Sequence, residues 1–157
     1  MSGSAERKQL VNHLKGGEAF MPLDEILDKI TFEKLGVRPQ DLPYSFYEVF
    51  YHIICAQKDI LEYSTSGDYK SATWPEDYWP EKSSPESEKD WLKLREDYFR
   101  DRKTFENFIL DPKNDLNLPV KNSDEHSLLR EILLVMEHTA YHTGQLLLIL
   151  RLLGLHK

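Results

Sequence analysis

The chain has 157 residues, the size of one ordinary domain, and residues 1–157 read as a single unit. It carries 20 basic against 27 acidic residues, a formal charge of −7 with neutral histidines, which argues against a nucleic-acid phosphate backbone as the main partner. One cysteine rules out a disulfide framework within the chain, and no uncharged apolar run reaches the ~18 residues needed to span a membrane. The polar stretch from Met1 to Gln9 does not read as a secretory signal, so a cytoplasmic location is expected. With 40% hydrophobic and 30% charged residues the composition is that of a globular chain. A chain of this size buries roughly 70% of its unfolded surface, so it needs no metal merely to fold.

Taken from the N-terminus, the first helical stretch runs from about Ala5 to Lys15, with Leu10, Val11 and Leu14 at helical spacing. Gly16-Gly17 interrupts it and Pro22 restarts it, carrying Leu23, Ile26, Leu27 and Ile30 on one stripe. Gly36 to Pro43 is a connection. Helix two opens at Ser45, an N-cap with Glu48 three residues on, and continues to about Tyr63. Ser64 to Pro85 has no periodicity. It is too rich in rings (Trp74, Tyr78, Trp79) to be a solvated linker, and those rings are expected to pack over one end of the helices. Helix three spans about Glu86 to Ile109. Helix four is expected from about Ser123 to Leu153, roughly 30 residues or ~45 Å, with Gly154 as its stop. No strand signal competes. The pattern predicts an all-α fold, a four-helix bundle with a long crossover loop between helices two and three. Leu146, Leu147, Leu148, Leu150, Leu152 and Leu153 point in too many directions for one intramolecular core, so a homodimer through helix four is expected.

Of six histidines, His138 and His142 lie one turn apart on helix four, which lets two imidazoles reach one metal ion. Thr139 follows His138 where a zincin motif would place its glutamate. His52 sits in the apolar stretch of helix two, where an imidazole needs a partner. Bundles build metal sites from facing helices. The residues alone leave two readings open: a shared ion, or three histidines satisfied separately by Tyr, Glu or backbone. His13, His126 and His156 read as surface or terminal residues, with His126 in the first turn of helix four. Cys55 reads as a small buried residue, and Glu48 as a helix cap. Tyr141 and Gln145 are further candidates beside the histidines, Gln145 as an orienter of a ligand.

The block HTAYHTGQLLLILRLLG, His138 to Gly154, resembles the closing helix of the DinB-like (DinB/YfiT-type) proteins, including their H-x-x-x-H-x-G-Q core. SFYEVFYHIICAQKDILEYS, Ser45 to Ser64, is similar to their second helix with its single histidine. The Trp74-Pro75 and Trp79-Pro80 pairs and LKGGEAFMPLDEIL, Leu14 to Leu27, resemble one branch of that family. The resemblance implies a four-helix bundle with a crossover and a divalent ion, zinc or nickel, held by His52, His138 and His142. It implies no ligand at Phe20, where that branch often carries histidine. Members include metal-dependent thiol transferases and isomerase-like proteins, so the resemblance leaves the reaction and its catalytic residues open. The expected function is a metal-dependent thiol S-transferase or hydrolase acting on a small molecule, with a low-molecular-weight thiol as one substrate. The alternative is a non-catalytic, metal-stabilised bundle that binds a small molecule or partner.

Overall fold

A computed structural model describes residues 3–157; Met1 and Ser2, the start of the polar N-terminal stretch, lie outside the described residues. Five α-helices run in order: α1 (Ser4–Lys15), α2 (Leu23–Leu27), α3 (Phe46–Thr65), α4 (Glu88–Leu110) and α5 (Leu128–Leu152). Among the described residues there is no strand, only an isolated antiparallel bridge between Pro119 and Ser127. The all-helical expectation therefore holds.

Each boundary has a local cause. Gly16 and Gly17, at φ of 83° and 95°, end α1 in the left-handed region that favours glycine. At α3, Ser45 Oγ accepts from the Glu48 amide and the Glu48 carboxylate accepts from the Ser45 amide, the capping box read in the sequence. Ser87 caps α4 and Ser127 caps α5. The last point corrects the expected start of helix four near Ser123. Residues 123–126 turn instead, because Ser123 Oγ accepts from the amides of Glu125 and His126 and the Val120 amide donates to the His126 carbonyl. The helix is 25 residues long, ~37 Å at 1.5 Å per residue.

α3 packs on α5 and α4, while α1 packs on α4 and α5, so the four long helices close a ring of contacts. Two apolar clusters fill it. One joins α2 to the early part of α3, with Phe46, Phe50, Trp91, Leu146 and Leu150 at its heart; the other joins α1 to the ends of α3 and α4 through Leu14, Phe105, Ile109 and Ile132. Leu146 and Leu150 are fully buried inside the chain and Leu147 and Leu153 pack against the first cluster. The intramolecular core thus takes up most of the leucines that suggested a second copy, and Leu148 alone of them is exposed.

A buried polar contact ties the helices together. Arg102 of α4 donates to Gln57 Oε1 of α3 at 2.6 Å, to the Leu14 carbonyl of α1, and to Thr139 Oγ1 of α5 at 3.3 Å. All four long helices meet at this one guanidinium, and Thr139 is the neighbour of His138. The position of α5 along the other helices is therefore set next to the histidine pair.

Candidate metal centre

α3 delivers His52 two turns from its start, and α5 delivers His138 and His142 from its middle. The three ring centroids lie 4.4–4.8 Å apart pairwise. One nitrogen from each ring lies within 4.8 Å of the others, close enough for the three to hold one ion. His52 and His142 are buried and His138 is half-buried. Among the described residues no Cys, Asp or Glu joins the group.

Hydrogen bonds fix which nitrogens are available. His52 Nδ1 lies 3.3 Å from the Tyr78 carbonyl and His142 Nδ1 lies 2.6 Å from Gln145 Oε1. A carbonyl oxygen only accepts, so each Nδ1 carries the proton and each Nε2 presents a lone pair. Gln145 is held in turn, its Nε2 donating to the Tyr44 hydroxyl at 3.1 Å. His138 Nε2 stands 3.0 Å from His52 Nε2 and, since the latter presents a lone pair, donates to it. A divalent ion would be held by His52, His138 and His142 with His138 in its other tautomer, its Nε2 unprotonated. Neutral imidazole with its distal N–H tied to an oxygen is the arrangement metal-bound histidines adopt, so the residues fit a divalent ion.

Burial keeps the rings neutral. Desolvation first, then the neighbouring imidazoles, push His138 down to about 3. Desolvation and then His142 push His52 down to about 4 against the opposing Tyr78 hydrogen bond. His142 is lowered by burial, with Gln145 partly offsetting it. Three uncharged donors near pH 7 do not compete with a cation for their lone pairs.

The aromatic segment covers this group rather than an end of the helices. Trp79 stacks flat on His52 at 4.2 Å between centroids, and Trp74 meets it edge-on at 5.9 Å. Asp59 of α3 anchors the segment by accepting from Tyr69 and Tyr78 hydroxyls at 2.9 and 2.8 Å. Tyr141 stands edge-on to His142 at 4.9 Å and faces outward.

The remaining candidates fall elsewhere. Glu48 is consumed by the cap and by Arg38, whose Nε donates to it at 3.0 Å. Burial works to raise its pKa, but the Arg38 and Ser45 hydrogen bonds outweigh it and hold the carboxylate below its usual value. Burial raises the Cys55 thiol, so it stays protonated, and it is not among the grouped ligands. His126 bonds the Tyr63 hydroxyl at 3.0 Å, while His13 is exposed on α1. The Tyr78 carbonyl and Tyr44 were missed in the sequence. A backbone acceptor carries no side-chain signal, and Tyr44 precedes the Ser45 cap with nothing to link it to α5.

A family model described as the DinB superfamily matches residues 18–146, which contain all three histidines, and the chain belongs to that superfamily. No curated protein and no solved structure matches the chain.

Proposed function

We propose that this chain is a metal-dependent enzyme of small-molecule chemistry, a thiol S-transferase or a hydrolase, with a divalent ion held by His52, His138 and His142. The observation that carries the reading is a ligand set that, among the described residues, ends at three. Three neutral imidazoles leave an ion its full charge and an open position, the composition of catalytic rather than structural zinc sites. When bound, the ion supplies a Lewis acid that lowers the pKa of a coordinating thiol or water.

The chain's own residues do the rest. Gln145 and the Tyr78 carbonyl hold the His142 and His52 rings in the tautomer that leaves Nε2 free. Trp79 lies against His52 and keeps bulk water from that side, while Trp74 offers an apolar wall. We read the ring of four long helices as a four-helix bundle with residues 66–87 as the crossover, and the protein as cytoplasmic. No described helix is long and apolar enough to cross a membrane. Imidazole donors suit zinc and nickel, among other first-row ions, and these two are the ions we propose.

A second reading has one observation behind it. Trp79 lies flat over His52, as it would if the ion were only structural. The experiment separates the two. Protein purified without an affinity tag is analysed for metal content and screened for conjugation of low-molecular-weight thiols to electrophiles and for ester or amide hydrolysis. The enzyme reading expects near-stoichiometric zinc or nickel and an activity abolished by chelation and restored by the ion. Activity that persists after chelation and in His142→Ala overturns the metal mechanism; bound metal without turnover on any of these substrates favours the structural role.

A further inference from the structure

The outward face of α5 carries large apolar side chains among its charges. Leu133, Glu137, Tyr141, Gly144, Leu148 and Arg151 recur at three- and four-residue steps, which places all six within one narrow stripe. All six are exposed, the three large apolar side chains at 51% for Leu133, 67% for Tyr141 and 47% for Leu148. Tyr141 is the most exposed large apolar side chain in the described chain. Glycine inside a helix costs ~1 kcal/mol relative to alanine. At Gly144 no steric contact among the described residues requires it, for a Cβ there would meet no described atom within 4 Å. A small residue at the centre of an exposed apolar stripe lets another backbone come close.

The charges identify what comes. Glu137 lies seven residues before Gly144 and Arg151 seven after it. Neither forms an ion pair within the described chain; Arg151 makes only a 3.4 Å contact to the Lys157 carbonyl. If two α5 helices cross antiparallel with a two-fold axis at Gly144, residue i faces residue 288 − i of the other copy (twice 144). Glu137 of each copy then faces the partner's Arg151, twice over, and Tyr141 of each falls beside the partner's Leu147 and Leu148. A stripe that complements itself in charge and in shape under a two-fold is the mark of an isologous interface.

We infer that α5 docks on α5 of a second copy of this chain, antiparallel about Gly144, with reciprocal Glu137–Arg151 ion pairs. The pairing covers Tyr141, the ring beside His142, so each copy walls one side of the other's histidine group. The inference stands apart from the proposed chemistry, since its test needs neither metal nor substrate.

Sedimentation equilibrium of the full chain at micromolar concentration tests it. The wild type is expected at about twice 18.5 kDa. Glu137→Arg alone and Arg151→Glu alone each set like charges against each other at two places and weaken association at least ~10-fold. The double variant carrying both changes restores it, with circular dichroism showing that helicity is retained throughout. Wild type at 18.5 kDa overturns the inference. So does a dimer indifferent to both single changes, which would place the interface on another face. A double variant as weak as the singles overturns the reciprocal pairing.

Discussion

At the scale of single residues, the histidine group is a balance between proton and metal. Its rings are neutral because they are buried beside one another, and that has a consequence for the metal-free protein. In the unfolded chain imidazoles take up protons below about pH 6.5. In the folded chain His52 resists to about 4 and His138 to about 3. The unfolded state therefore binds more protons across that window, and stability falls as pH drops from 6.5, with no further loss from His52 below about 4 or from His138 below about 3. Glu48, whose pKa is lowered from 4.5, adds its own loss only as pH falls below that value. The upper part of the window thus reports the histidines apart from this carboxylate. Urea midpoints of metal-free protein should fall between about pH 7 and about pH 5. The fall should shrink in a His52→Gln, His138→Gln double variant, which keeps polar bulk and removes the titrating rings. An undiminished fall would show that other groups carry it. The same residues show what the sequence made legible. The four-residue spacing of His138 and His142 is a one-dimensional signal of a shared face. The hydrogen bonds that choose Nε2 over Nδ1 are not, because the Tyr78 carbonyl arrives from a segment 26 residues away and only through the fold.

At the scale of elements, periodicity located the long helices and local chemistry set their ends. Ser45 and Glu48 could be read as a cap because the whole motif is contiguous. The start of α5 could not, because both Ser123 and Ser127 are competent caps and the choice rests on the Pro119–Ser127 bridge across the turn. Arg102 is the clearest case of hidden information. In a helix dense with charge it reads as one more solvated residue, yet it is 5% exposed and joins α1, α3 and α5. Replacing it by leucine leaves the Leu14 carbonyl and the Gln57 oxygen buried without a donor. Each orphaned group costs about 1–3 kcal/mol, so Arg102→Leu should destabilise the chain by about 2–6 kcal/mol. The check is the urea midpoint, with an unchanged m value confirming that the unfolding transition itself is the same. A loss under about 0.5 kcal/mol would mean that water replaces the guanidinium and that the contact does not set how the helices meet.

At the scale of the whole molecule, two apolar clusters of buried residues form the core, so the chain should fold without an ion. The ring of helix contacts brings α3 beside α5, and the same packing that completes the core brings three imidazoles to one place. Helical periodicity and the lack of strand signals made the helical class legible, and the family motif pointed to these three histidines; the cover of Trp79 over His52 needed the folded path of residues 66–87. Metal binding to a site that exists only in the folded chain must stabilise the whole of it. At a free concentration 100 times the dissociation constant the gain is about 2.7 kcal/mol. For a domain of this size each kcal/mol moves the midpoint by about 2–4 °C, so saturating zinc should raise Tm by about 5–11 °C, and a chelator should return it. His138→Ala should abolish the zinc-dependent rise while the metal-free protein still unfolds cooperatively, because the clusters on either side are untouched. Gln145→Leu should shrink the rise without abolishing it, since His142 keeps its ring and loses only the acceptor that orients it. A zinc-dependent rise that survives His138→Ala at full size would place the ion elsewhere in the chain.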